Sequence, residues 1–330
     1  MLLFVHGDRM NGNRAGLLLT SSRVAELLEV HSSTIKRWCD EGILPAERTE
    51  GGHRRIRFDD ALSTGRSQGQ STFLDRFHPG ERNVWLAISS IEDRGSFDRL
   101  HNLALSWLSA GETDRMGLLL YEAGRRPKIP FHRFLDEGIR GFMARVGEEW
   151  QKGRLAIGEE HMATQMVMEV LLRLRGSWDE VDLARVDSLD PPPVAIVGAM
   201  EGDHQALGAQ SVRVLLEREG WKVYFLGADV PLEEFAEIQR AQGASLVCIS
   251  FSPENNLPDL QRAVRVLGEF YRPQFPYALG LGGNVGEIPE GMVPEGPFLA
   301  RSISRSAQEF LTWVGDLEQE DHFEGPRRVA

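Results

Sequence analysis

Apolar residues along this chain recur in three rhythms, and the changes of rhythm divide it into parts. In SSRVAELLEV, Val24, Leu27 and Leu28 fall at helical spacing behind Ser21 or Ser22, either of which is placed to cap. In HSSTIKRWCDEG, Ile35 and Trp38 face inward behind a cap at Ser32 or Ser33, and Gly42 ends the helix. The segment LPAERTEGGHRRIRF reads as a strand, a turn at Gly51 and Gly52, and a second strand, which together make a wing. These elements predict a compact winged helix-turn-helix over 17–62. Ser, Gly and Gln without apolar periodicity then predict a linker over 63–81.

From 82 to 176 the rhythm is helical throughout. One helix carries Leu100, Leu103, Ala104, Trp107 and Leu108; another carries Phe131, Phe134, Leu135, Phe142, Val146 and Trp150. A third carries Met162, Met166, Val167, Val170, Leu171 and Leu174, and short connections make the set a bundle. Trp150 closes one helix, Gly153 and Gly158 break the chain, and Glu160 and His161 open the next, so the three can converge on one cavity. An acidic stretch ending in three prolines predicts a second linker over 177–193. Over 194–318 the continuous apolar runs VAIVGAM, KVYFLG, SLVCISF and YALGLGG alternate with helical stretches. That pattern predicts a doubly wound parallel sheet covered on both faces, Rossmann-like in class. Residues 319–330 read as a disordered tail. The fold class is therefore multidomain α/β.

Composition adds little to this picture, since 42% hydrophobic and 26% charged residues are ordinary for globular domains. Cys39 and Cys248 form no CxxC pair, which predicts a reducing compartment and no disulfide framework. MLLFVHG is too short for a signal-peptide core and no run approaches a membrane span, so a cytoplasmic protein is expected. The net charge of −12 opposes phosphate binding, but its distribution matters more than its sum. The predicted second helix exposes Thr34, Lys36 and Arg37 opposite Ile35 and Trp38, where a recognition helix meets base edges and phosphates. Arg48, His53, Arg54, Arg55 and Arg57 equip the wing for phosphates or the minor groove. The plain alternative is a solvated hairpin charged for solubility; agreement of caps, turn, wing and basic cluster favours double-stranded DNA.

The run from LLTSSRVAELLEV to GGHRRI resembles the reading head of the MerR and excisionase families. The resemblance implies a DNA-binding regulator that works as a homo-oligomer, a dimer or tetramer, because one such head grips few phosphates.

In a doubly wound sheet, ligands bind at the loops beyond the strand ends. The first such loop is MEGDHQALG, and Gly282 and Gly283 end the fourth apolar run, where a bare backbone permits close approach of a flat or bulky group. GDHQALG, Ser250-Phe251-Ser252 and LGGN resemble the cobalamin-binding domain. Its first loop reads Asp-x-His-x-x-Gly, with the His ligating cobalt from below. Asp203 and Gly208 match the outer positions, while the His position holds Gln205. An imidazole is a good cobalt ligand and an amide oxygen a poor one, so His204, one residue early, is the candidate metal ligand.

Trp150 followed by Glu160 and His161 is similar to the bundle of CarH-like light-sensing regulators. In that family the Trp covers the upper face of adenosylcobalamin, with Glu and His beside the adenosyl group. Head, bundle and sheet occur here in the CarH-like order, and the resemblance covers nearly the whole chain. It implies a regulator that binds cobalamin, as adenosylcobalamin, and responds to light. With Gln205 in place, three accounts stay open: cobalamin, another tetrapyrrole such as a biliverdin-like linear bilin, or no cofactor. A bilin has no cobalt and needs no lower ligand. The enzyme alternative, a corrinoid-dependent methyltransferase component or mutase, has no use for the head, and a mutase needs a substrate barrel that 330 residues cannot hold.

Overall fold

The computed structural model describes residues 16–177, 192–253, 255–283, 288 and 291–319. The expected linker 177–193 and the tail 319–330 lie almost wholly outside these residues, as does Asn284 of the LGGN motif. The chain forms two compact units, residues 1–85 and 86–330.

In the first unit, β1 (Leu18–Leu19), β2 (Glu47–Arg48) and β3 (Arg54–Arg57) form a three-stranded antiparallel sheet in the order β1-β3-β2. Helix α1 (Ser21–Leu27) and helix α2 (Ser32–Asp40) pack on it through Val24, Leu27, Ile35 and Trp38, all buried. The caps fall one residue earlier than the serines suggest. Thr20 accepts from the Arg23 N–H, and the His31 ring nitrogen from the Ser33 N–H, so the serines lie inside the first turns.

The segment 63–81 is folded rather than a bare linker. Helix α3 (Phe58–Ser67) takes up its first part, and a 3₁₀ turn (Phe73–Phe77) follows. A Cβ added at Gly65 would lie 2.6 Å from Leu28, so the bare glycine is what lets α3 lie against α1. Arg66 donates to Asp75 at 2.8 Å and to Glu81 at 2.9 Å, tying the turn and the start of helix α4 (Glu81–Arg94) back to α3. Burial pushes the Glu81 carboxyl up, but bonds from backbone N–H groups, Arg66 and His78 outweigh it and hold it at about 2. Side-chain hydrogen bonds, invisible to apolar periodicity, thus order a stretch that composition alone marks as loose.

The second unit opens with α5 (Asp98–Ser109) and α6 (Thr113–Gly124). The single long helix expected around Phe131 to Trp150 is divided into α7 (Phe131–Arg133), a π-helix (Phe134–Arg140) and α8 (Gly141–Gln151), before α9 (Ile157–Arg175). The π-helix leaves the Gly138 carbonyl to accept from His101 of α5 at 3.1 Å. Gly158 lies inside α9 rather than breaking the chain, and Gly153, with φ 68°, makes the turn alone.

The sheet of this unit has five parallel strands: β4 (Val194–Met200), β5 (Lys222–Val230), β6 (Leu246–Phe251), β7 (Ala278–Gly283) and β8 (Arg301–Ser304). Their order is β5-β4-β6-β7-β8, so the winding reverses between β4 and β6. The edge strand β8 is too short and polar for its sequence to show. Helices α10 (Leu207–Arg218), α11 (Leu232–Gln242), α12 (Leu257–Phe270) and α13 (Ala307–Gln319) complete the doubly wound fold. Leu232, Phe235, Leu260 and Val264 of α11 and α12 bury one sheet face with Ile196, Val247, Ile249 and Leu279.

Helices α10 and α13 cover the other face, and the bundle packs on those helices. Helices α9 and α10 pack against each other, and Arg175 near the end of one pairs with Glu217 near the end of the other. Helices joined at their C-terminal ends stay in contact only if they run parallel. At 1.5 Å per residue the 19-residue α9 outreaches the 12-residue α10 by roughly 10 Å at the top. Asp136 of the π-helix accepts from the Ala307 and Gln308 N–H groups at 2.8 and 3.2 Å, capping α13 from the bundle side.

His101 is buried between Phe97 and Phe142, and burial pushes its imidazole below the ordinary value of 6.5, opposed by the bond to Gly138. A lowered folded-state pKa means that the unfolded chain takes up the proton first, so this group's contribution to stability is lost as the pH falls below 6.5. Melting curves at pH 7.5 and 5.5 are expected to show a smaller acid-side loss for His101→Phe than for the parent. Equal losses would remove His101 from the pH dependence.

Candidate DNA-reading head and ligand-facing loops

The reading head is built on α2. Ile35 and Trp38 hold it to α1, which turns Lys36 and Arg37 outward to full exposure and leaves Thr34 half-buried. The wing turns at Gly52, whose φ of 77° suits glycine, and its strands set Arg48 opposite Arg54 and Glu47 opposite Arg55. His53 is exposed at the tip. The eight residues expected to meet DNA thus share one head, but they are not equally available. Arg54 donates to Asp40 at 2.5 Å, with Arg48 3.7 Å from the same oxygen, while Arg57 lies 3.6 Å from Glu47. Among the described residues no carboxylate pairs with Lys36, Arg37 or Arg55. Asp40 carried no signal in the sequence, because a carboxylate in a basic stretch resembles any surface charge.

In the second unit the loops after β4 and β6 meet at the reversal of the winding. Asp203 is buried there, and its carboxylate accepts from the Gln205 N–H at 2.9 Å and the Ser252 N–H at 2.8 Å. Its carbonyl accepts from the Asp229 N–H at 2.9 Å, and the Asp229 carboxylate accepts from the Gly202 N–H at 2.8 Å. Asp229 adopts φ 56°, a left-handed backbone that Asp tolerates better than most non-glycine residues. The first loop is therefore tied to β5 on one side and to the β6 loop on the other.

Gly208, Ser250, Gly282 and Gly283 lie beside these loops and are closely packed: a Cβ on Gly208 would collide with the Ser250 Oγ, and one on Gly282 would come 2.9 Å from the Ser304 carbonyl. Gly283, at φ 127°, lies against the Phe251 carbonyl, and Ser250 and Gly282 are register partners across β6 and β7. Ser250 and Ser252 are buried, while Gly208 and Gly283 are exposed.

His204 has 76% of its side chain exposed and sits 3.9 Å from Asp229, on the β5 side; Gln205 is exposed too. Among the described residues no group of three or more metal-ligating side chains gathers. The exposed bare backbone at Gly208 and Gly283 suits close approach of a corrinoid edge, while the motif position expected to carry the cobalt ligand holds an amide, Gln205. Cys248 lies buried in β6, its thiol pushed up by burial, and Cys39 is half-buried in α2.

Trp150 lies near the end of α8 and Glu160 and His161 near the start of α9, on either side of one short turn. The turn between α8 and α9 is closed by bonds from the Gly153 N–H to Trp150 and from the Leu155 N–H to Glu149, at 2.8 and 3.2 Å. Glu160 bonds the His161 ring nitrogen at 2.7 Å and accepts from the Thr164 hydroxyl at 3.0 Å. Trp150 is 45% exposed, Met162 43% and Ile157 61%, apolar side chains left uncovered beside this turn.

Residues 18–60 match the family model described as a helix-turn-helix domain. Residues 104–175 and 193–288 match two models, each described as a B12 binding domain. The HTH-type transcriptional repressor CarA of Myxococcus xanthus is 22% identical over 252 residues, covering 75% of this chain and 82% of that protein. Dimethylamine corrinoid protein 3 of Methanosarcina acetivorans is 25% identical over 144 residues, 44% of this chain and 65% of its own length. Among solved structures, the Methanosarcina barkeri monomethylamine corrinoid protein aligns at 16% identity with a TM-score of 0.49, over 67% of this chain and 97% of its own. No described helix is long and apolar enough to cross a membrane. In order along the chain, a helix-turn-helix segment precedes two segments of B12-binding type.

Proposed function

We propose that this chain is a DNA-binding transcriptional regulator whose bundle and sheet together hold a cobalamin-type cofactor. The observation that carries the reading is the exposed bare backbone at Gly208 and Gly283, beside the loops beyond the strand ends, in the same compact unit as a bundle whose α8–α9 turn exposes Trp150. A corrinoid would rest its edge against these glycines and be covered by Trp150, with Glu160 and His161 at its rim. Adenosylcobalamin, when bound, would supply a light-labile cobalt–carbon bond, and light sensing is the output proposed. The head would act in a homo-oligomer, a dimer or tetramer, on an operator duplex. Domains are proposed at 17–62, 82–176 and 194–318. Similarity to a dimethylamine corrinoid protein covers 44% of this chain; the additional helix-turn-helix segment favours regulation over methyl transfer.

A second reading is favoured by one observation: Gln205 and the outward His204 leave no imidazole at the motif position. A linear bilin would need none, and with Cys248 buried and Cys39 in the head it would be held non-covalently. Absorption spectra of the protein purified with adenosylcobalamin or with biliverdin decide between them. Uptake of neither would defeat the cofactor reading as a whole.

Three variants follow from this reading. Arg37→Ala removes an exposed, unpaired cation from the recognition helix and is expected to weaken duplex binding by about 1–3 kcal/mol in an electrophoretic shift assay. An unchanged shift would count against the head's assigned role. Trp150→Ala is expected to lower cofactor affinity on titration while DNA binding persists; equal affinities would make the tryptophan only a surface residue. Gln205→His restores an imidazole donor, so tighter cobalamin binding and a protein-ligated corrinoid spectrum are expected. If instead the parent already shows such a spectrum and His204→Ala abolishes it, the loop rearranges on binding and His204 is the ligand.

A further inference from the structure

Asp40 stands in the middle of an otherwise cationic surface, and the fold gives it no structural reason to be there. It is the last residue of α2, the helix end at which the dipole favours a cation over a carboxylate. Its side chain is 58% exposed, so burial does not require it. Its Oδ1 accepts from Arg54 at 2.5 Å and lies 3.7 Å from Arg48. Arg48 and Arg54 are register partners across the two wing strands, so one carboxylate on the recognition helix engages both strands of the wing at once. Arg54 is held closely enough that only 19% of its side chain is exposed. Lys36 and Arg37 on the same helix have no such partner among the described residues.

Cations that touch phosphate add affinity without adding sequence information, whereas cations at base edges discriminate. A carboxylate that engages the first kind and spares the second changes the ratio between them. We propose that Asp40 is the specificity-determining residue of the head: it withholds Arg48 and Arg54 from phosphate and fixes the wing relative to Lys36 and Arg37. Non-specific duplex binding is thereby lowered more than binding to the preferred site. The proposal rests on the DNA-binding reading given above and names what tunes it.

The test uses the full chain, a mixed-sequence 30-base-pair duplex, and duplexes selected by the parent protein from a random pool, each titrated across a range of salt. Each phosphate contact contributes a slope of about 0.9 in the logarithm of affinity against the logarithm of salt, close to tenfold at ~0.1 M. Asp40→Asn is expected to bind the mixed-sequence duplex about tenfold more tightly at that salt, with a slope steeper by roughly one, for each arginine released. Its preference for the selected duplexes falls in proportion. Asp40→Ser, a second neutral variant, should do the same, and Asp40→Glu should restore the parent's slope. Neutral variants that melt with the parent yet bind the mixed-sequence duplex no more tightly, at an unchanged slope, would overturn the proposal. A parent that binds neither duplex would instead defeat the DNA-binding reading on which it rests.

Discussion

The ligand-facing end of the sheet depends on one buried carboxylate. Asp203 sits where the winding reverses, a place at which two loops leave neighbouring strands in opposite directions and nothing in the sheet holds them together. By accepting from the Gln205 and Ser252 N–H groups it ties those loops to each other, and through Asp229 the first loop is tied to β5 as well. A buried carboxylate without such partners would be costly, so the loops and the charge stabilise one another. The arrangement also bears on direction: Asp203 is buried while His204 and Gln205, the next two residues, are exposed.

Much of this architecture was legible in the residues. The runs at 194–200, 246–251 and 278–283 are apolar because a parallel sheet is covered on both faces, and continuous hydrophobicity announces such strands directly. Ile35 and Trp38 marked the inner side of the recognition helix by their spacing alone. The strand β8 and the ordered stretch 63–81 were not visible, for a shared reason. Neither has an extended apolar period: β8 is held by pairing with β7, and 63–81 by the buried side chains of Leu74 and Phe77 together with the bonds of Arg66 to Asp75 and Glu81. The division of the 131–151 helix was equally hidden: the Gly138 carbonyl in the π-helix is taken by His101, 37 residues away, a partner that no local pattern announces.

The site residues divide along the same line. Trp150 ends α8 while Glu160 and His161 lie in the first turns of α9, so sequence alone places them on either side of one short turn. The basic residues of the head gather, but sequence shows only which cations exist, not which are already engaged. Asp40 and Glu47 settle that question through contacts across the wing, and such pairings depend on register. His204 illustrates the opposite error: a residue of suitable chemistry in a suitable loop, left largely exposed beside Asp229.

The cap that Asp136 places on α13 bears on how such proteins can be recombined. The acceptor belongs to the bundle and the donors, Ala307 and Gln308, to the far end of the chain, so the bond joins segments some 170 residues apart. Exchanging the sheet for that of a relative would leave the first turn of α13 without its acceptor unless residues 131–140 moved with it, and Arg140, which donates to the Arg305 carbonyl, would lose its partner in the same exchange. Bundle and sheet match separate family models, yet they are stitched together as a single unit of inheritance. A new reading head can be grafted in front of that unit more readily than the unit itself can be divided.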